Sequence, residues 1–282
     1  MIDNDKLTLG TLLRRYGKNV LITWLLLIVE VALLALIPLF LGKAIDALLA
    51  EIKVSALYEI SVLFVALIIV AVARRAYDTR AYGTMRVHLC MALVERSASK
   101  SVSTLNARVE MGRELADFLE DHTPLAITCI LQVVISVAIL FSFGLALGAA
   151  SISAVVLMLG IYAVFHGRFF KLNAGLNAIS EEQVGVLASG DVLRVQDLFT
   201  QRRVSEVKLS DADSIMYGGV YVVMFALILA NLWSASALPV VTVGAIFAII
   251  SYSWELVGAS VELPATLQQW TRLREIQERI NR

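Results

Sequence analysis

Six long apolar stretches alternate with polar connections along the chain. They run over Val20–Leu41, Leu57–Ala73, Pro124–Phe143, Leu145–Phe165, Ile215–Leu238 and Pro239–Val261. A helix needs about 20 mostly apolar residues to cross a hydrocarbon core roughly 30 Å thick. The pattern therefore predicts six transmembrane helices, and it contains no strand-like alternation.

Two of the connections, residues 74–123 and 166–214, are long and polar, whereas the other three are short. Apolar residues recur in them at helical spacing, as at Met85, Leu89 and Leu93. We therefore expect each long connection to be a helical hairpin that continues its two spans, with arms that project some 35 Å from the bilayer.

The basic residues predict the orientation of the spans. Of 24 Lys and Arg residues, only Lys43 and Lys53 lie on the side opposite the two long connections and the termini. Basic residues near spans are retained in the cytoplasm. We therefore expect a multi-pass protein of the inner (plasma) membrane with cytoplasmic termini. The balance of 59% hydrophobic and 17% charged residues agrees with a lipid environment, and we expect no nucleic-acid partner.

The sequence shows no motif for a disulfide framework, a metal site or a nucleotide-binding loop. Cys90 and Cys129 are too few for a disulfide framework or a metal site, and the three histidines show no ligand spacing. The printed sequence also has no G-x-x-x-x-G-K-[ST] phosphate loop. We therefore expect no metal, no catalytic residue and no enzyme activity on this chain.

Two short motifs make the comparison with a known family specific. The end of the first span reads Pro38-Leu-Phe-Leu-Gly-Lys-Ala-Ile-Asp46, and the sixth span begins Val241-Thr-Val-Gly244 and continues to Tyr252. With the six spans and the long loops, these segments resemble the transmembrane domain of ABC exporters. Arg272–Ile280 is similar to the segment that leads into the nucleotide-binding domain in that family.

The resemblance implies an all-α, exporter-type transmembrane domain over residues 1–282. It implies a domain-swapped homodimer, in which spans four and five reach across to the partner. It also implies that ATP and Mg²⁺ are bound only by a separate nucleotide-binding subunit. Coupling segments would map to Leu105–Met111 and Phe199–Glu206. The coupling residues it implies are Leu105, Asn106, Arg108, Phe199, Gln201, Arg202 and Arg203. Near Asp197 the chain lacks a lysine that exporters usually show, which weakens the case for conventional coupling.

Three acids lie in or near the apolar spans: Glu30, Glu255 and Glu262. A charge at this depth costs about 2.5–3.5 kcal/mol on insertion scales, so it usually faces a cavity or a partner. One hypothesis is an acidic pathway for a cationic substrate or a proton, with Trp254 stacking on the cation. The alternative is structural: protonated, hydrogen-bonded acids, a Glu262 that reaches the interface, and a Trp254 that faces lipid.

Arg74 and Arg75 end the second span, and we expect them to anchor it at the lipid headgroups. The leading functional prediction is the membrane subunit of an exporter-like transporter for a small cationic or amphipathic solute, with its ATPase on a separate chain. Two alternatives stay open: an ion-gradient-driven transporter on the same scaffold, and a regulatory or assembly protein that does not transport.

Overall fold

A computed structural model describes residues 9–50, 53–96, 102–238 and 241–280, which are helical apart from short turns. The elements are α1 (Leu9–Leu49), α2 (Lys53–Arg96), α3 (Val102–Asp117), a π-helix (Phe118–His122), α4 (Thr123–Phe143), α5 (Leu145–Ser189), α6 (Val192–Ser236) and α7 (Val243–Ile280). Within these described ranges, six helical stretches are long and apolar enough to cross a membrane. The prediction of an all-α membrane protein with six spans is confirmed.

The structure divides into two compact units. One comprises the described residues up to 148 and from 234 onward, and the other comprises residues 149–233. Among the described residues of the first unit, two buried clusters help to position the spans. One joins α1, α2, α3 and the π-helix. The other joins α4 and α7 with the first turn of α5 and the last turn of α6, and Tyr252 is fully buried in it.

The second unit is a hairpin of α5 and α6, each 45 residues long as a full helix. Gly190 turns the chain at φ 67°, a left-handed conformation that glycine adopts at little steric cost. Asp191 then caps α6, because its Oδ1 accepts hydrogen bonds from the backbone N–H groups of Leu193 at 3.0 Å and Arg194 at 3.4 Å. A two-residue turn thus joins two continuous helices.

This turn corrects the expected position of the second coupling segment. Phe199–Glu206 lies within α6 and not at the tip of the loop, which is at Gly190 and Asp191. Leu105–Met111 lies within α3, close after its first residue, Val102. The tip of the second loop lies earlier than expected because Gly190 and Asp191 form the turn there. That turn is about two helical turns before Phe199.

The π-helix Phe118–His122 separates α3 from α4. Such segments are rare, and they are frequent at functional sites. Here Phe118 and Leu119 are buried in the core, whereas Glu120 forms an ion pair with Arg86 of α2. The π-helix therefore presents acidic side chains to the charged part of α2.

Candidate functional site

Glu30, the acid predicted in the first span, forms an ion pair with α2. The Nε of Arg74 donates to Glu30 Oε2, and its Nη2 lies 3.5 Å from Glu30 Oε1. The Nη1 of Arg74 also lies 3.5 Å from Asp78 Oδ2. Arg74 was expected to reach the headgroups, but its guanidinium points to Glu30 and Asp78 because both carboxylates need a counter-charge at this depth.

Glu255 and Glu262 lie on α7, beside residues of α4. Glu255 is half-buried next to Gln132, and its Oε2 is buried without a hydrogen-bond partner. Glu262 is exposed and lies near Cys129. The structure therefore brings Glu30 to α2 and the other two acids to α4. A single acidic wall formed by all three stays a prediction.

The side chain of Trp254 is more exposed than that of its neighbour Glu255. Its side chain is 67% exposed, whereas the adjacent Ser253 is fully buried. This is the position that lipid-facing packing predicts for an indole. Stacking of Trp254 on a bound cation stays a prediction without a visible site.

The predicted coupling residues of the second loop lie along α6. Phe199 is 44% exposed, and Arg203 is exposed as well. Gln201 Nε2 donates to Asp197 Oδ2 at 2.9 Å within the helix. Arg202 joins the two arms of the hairpin, because its Nη1 donates to Gln183 Oε1 of α5 at 2.9 Å. Arg202 thus has a structural role in addition to any role in coupling.

In the first loop, Leu105 is half-buried and Asn106 is exposed. The side chain of Arg108 lies outside the described part of the chain. The coupling role of all three residues stays a prediction.

A second ion-pair cluster, which the sequence analysis did not identify, links α2 to the end of α3. Arg86 Nε donates to Asp117 Oδ1 at 2.8 Å, and Arg86 Nη2 donates to Glu120 Oε2. The sequence contains a signal for this cluster, which is a polar stripe along α2 at four-residue spacing: Arg74, Asp78, Tyr82 and Arg86. Residues at i and i+4 share one face of a helix, so this polar stripe indicates a face of α2 that is turned towards protein.

The two motif segments that carried the resemblance meet each other in the structure. The backbone N–H of Gly244 donates to Asp46 Oδ1 at 2.8 Å, so α1 supplies the cap for the first turn of α7. The backbones come so close that a Cβ on Gly42 would lie 2.5 Å from Gly244 O. The Tyr252 hydroxyl donates to Ala35 O at 2.5 Å, three residues before Pro38 in α1. The motifs therefore join the end of span one to the beginning of span six.

Comparison with known proteins agrees with this architecture. Residues 9–244 match the family described as the ABC transporter transmembrane region. The match extends from the first described residue of α1 to Gly244, so it includes the Pro38–Asp46 motif and the beginning of the second motif, but not Tyr252. A comparison with curated proteins finds no match. Because the family match extends over most of the printed sequence, the chain belongs to the ABC transporter transmembrane region family.

Proposed function

We propose that the chain is the membrane subunit of a transporter for a small cationic or amphipathic solute, and that an ATPase on a separate chain drives it. Family membership supports a membrane transporter subunit. The acid Glu255, within the sixth apolar span and without an ion pair among the described residues, favours a solute with positive charge, whereas Glu30 is already paired with Arg74.

The proposal of an ATPase partner rests on the exposed apolar surface at the tip of the α5–α6 hairpin. Val184, Val192 and Leu193 are 75%, 77% and 76% exposed, and all lie close to the Gly190 turn. Gly190 at the tip is 25 residues beyond Phe165 (190 − 165), the last residue of the apolar span, or about 38 Å along the helix. Apolar side chains clustered this far from lipid favour a protein partner.

The test is a mild-detergent purification of the tagged chain from its native membrane, followed by identification of bound proteins and an ATPase assay. We expect a stoichiometric nucleotide-binding subunit. A Val192→Ser, Leu193→Ser double variant should lower its recovery at least tenfold, since buried apolar anchors carry most of the binding energy of an interface.

Phe170→Ser is the matched control, because Phe170 is 72% exposed on the same hairpin but far from the tip. The control should retain the ATPase subunit. Purification of the chain with no ATPase, or equal recovery with the tip variant, would contradict a partner that docks at the tip.

A second candidate, ion-gradient-driven transport, is favoured by one observation. Glu255 Oε2 is buried in the apolar part of α7 and has no hydrogen-bond partner, so this carboxylate is suited to exchange a proton. In proteoliposomes with a pH-sensitive dye, gradient-driven transport predicts proton uptake that Glu255→Gln abolishes. Glu59→Gln, at an exposed acid of α2 that is not part of the predicted acidic pathway, should leave that uptake unchanged. Absence of proton uptake by the unmodified protein would remove this candidate.

A further inference from the structure

The helix that enters the third span changes its packing partner at the π-helix. The chain continues helically through this segment, since Asp117 before it (φ −62°, ψ −35°) and Thr123 after it (φ −67°, ψ −46°) both have right-handed helical backbone angles. Before the segment, α3 packs mainly against α2, and after it, α4 packs mainly against α7. The π-helix therefore lies where one continuous helix passes from one neighbour to another.

Pro124, the second residue of α4, explains why the helix widens at this point. A proline inside a helix has no N–H to donate, and its ring clashes with the carbonyl four residues earlier, which is that of Glu120. In the structure, the backbone N–H of Thr123 donates to Phe118 O, which is five residues earlier and not four. The Thr123 hydroxyl donates to the same oxygen at 3.1 Å. The widened turn thus admits the proline without breaking the helix.

This segment is the point at which the helix bends most easily. Sharp bends in helices concentrate at prolines and at π-type turns, and both features coincide here. In the α-helices on either side, regular hydrogen bonds between residues four apart oppose bending. Pro124 is also the first residue of the third apolar run. A bend at this point would therefore tilt the whole third span.

One side chain of α2 holds both sides of the boundary between α3 and the π-helix. Arg86 Nε donates to Asp117 Oδ1 at 2.8 Å, and Arg86 Nη2 lies 2.6 Å from the same oxygen. Arg86 Nη2 also donates to Glu120 Oε2. Asp117 is the last residue of α3, whereas Glu120 belongs to the π-helix. A single guanidinium therefore bridges the two elements.

The apolar and the charged contacts of the segment differ in strength. Phe118 and Leu119 are 3% and 2% exposed in the cluster with α1, α2 and α3, and this burial keeps the π-helix on α2. The side chains of Arg86 and Asp117 are 31% and 40% exposed. Partly exposed ion pairs stabilise a fold only weakly. The ion pairs of Arg86 can therefore open while the apolar contacts stay in place.

We propose that the π-helix is a hinge between α3 and α4, and that Arg86 is the latch that holds this hinge in the position described. While Arg86 bridges Asp117 and Glu120, the third span keeps its direction relative to α2. When these pairs open, α4 tilts about Pro124. The hinge is built from this chain alone and needs neither a solute nor an ATPase, so it goes beyond the proposed function and is tested independently of it.

Distances between spin labels at the outer ends of spans two and three test the hinge by pulsed electron paramagnetic resonance. Tyr58→Cys and Ser142→Cys place labels at exposed positions of α2 and α4, in a background with Cys90→Ala and Cys129→Ala. Dilution with unlabelled protein restricts the measurement to pairs within one chain. Ser142 lies 18 residues beyond Pro124 (142 − 124), or about 27 Å along the helix, so a tilt of about 10° moves its label by roughly 5 Å.

We expect one narrow distance distribution for the labelled reference protein. Arg86→Gln should broaden or shift this distribution by about 5 Å, because the third span is then free to tilt. The Arg86→Gln, Pro124→Ala double variant should return to the reference width, since alanine restores the N–H donor and removes the clash that widens the turn. An ion pair that only stabilised the fold would broaden the distances with either residue at position 124.

The matched control lies on the same helix as the latch. Arg80→Gln changes an exposed arginine of α2 whose Nη1 donates to Ala76 O within its own helix, and it should leave the distances unchanged. If Arg86→Gln fails to fold, Asp117→Asn removes one partner of the latch at a more exposed position and should broaden the distribution less. Reference distances in Arg86→Gln would overturn the latch. A broad distribution that persists in the double variant would overturn the hinge.

Discussion

At the scale of single residues, the pairing of Glu30 with Arg74 explains how two charges are accommodated near the bilayer. Their side chains are 15% and 24% exposed, respectively, and both oxygens of Glu30 face the guanidinium. When only one member of a buried pair is removed, the other charge is left without compensation.

The first prediction concerns this pair. Arg74→Gln should lower the free energy of unfolding by about 2 kcal/mol, less than the loss for a fully buried pair because both groups keep some exposure. The Glu30→Gln, Arg74→Gln double variant should be more stable than Arg74→Gln alone, since no carboxylate is then left unpaired at position 30. Thermal unfolding in detergent measures both. A double variant that is less stable than the single variant would contradict the pairing.

Sequence patterns identified Glu30 as an acid that needs a partner, but they did not identify the partner. Glu30 and Arg74 are 44 residues apart, and their contact depends on how α1 is rotated against α2, which a single sequence does not specify. The stripe of Arg74, Asp78, Tyr82 and Arg86 was readable at helical spacing. Its arginines also fit the rule that basic residues flank spans on the cytoplasmic side, so the charges alone do not specify that they pair within the protein.

At the scale of helices, the close approach of α1 and α7 depends on Gly42 and Gly244. A Cβ on Gly42 would meet backbone atoms of Gly244, and backbone cannot move aside as a flexible side chain can. The carboxylate of Asp46 also caps α7 only while the two helices stay together. The packing of spans one and six is therefore sensitive to a single methyl group.

The second prediction uses this sensitivity. Gly244→Ala should destabilise the protein by about 1–3 kcal/mol, since the helices must separate to admit the Cβ. Gly258→Ala on the same helix is the matched control, because a Cβ there meets nothing within 4 Å. The control should be neutral or stabilising by about 0.5–1 kcal/mol. Equal unfolding temperatures for the two variants would contradict the close contact.

The long helical arms were predictable because apolar residues recur at helical spacing beyond the spans. The turn at Gly190 and Asp191 was also readable, as a glycine that ends one helix followed by an aspartate that caps the next. The resemblance implies a tip at Phe199–Glu206 instead, because it carries over a position from the family and not the turn residues of this chain. The meeting of the Gly42 and Gly244 motifs required the structure, since the motifs lie about 200 residues apart and each is short.

At the scale of the whole molecule, the distribution of basic residues gives the third prediction, on orientation. Cys90 lies in the first long loop and is partly accessible, whereas Cys129 is buried. A membrane-impermeant maleimide should label Cys90 only after cells are lysed, because the loop is expected in the cytoplasm. Tyr58→Cys in a Cys90→Ala background should react in intact cells, since Tyr58 is 70% exposed at the opposite end of the second span. Labelling of Cys90 in intact cells would reverse the predicted topology.

The two-residue turn between α5 and α6 has a mechanical consequence. Helices that continue without interruption from the membrane to Gly190 leave no loose segment at the tip to absorb motion. A tilt of about 10° at Phe165 would therefore displace the tip by roughly 6 Å over the arm length given by the helical rise. The hairpin acts as a stiff lever, in which a small rotation among lipids becomes a displacement large enough to break or form contacts at its far end.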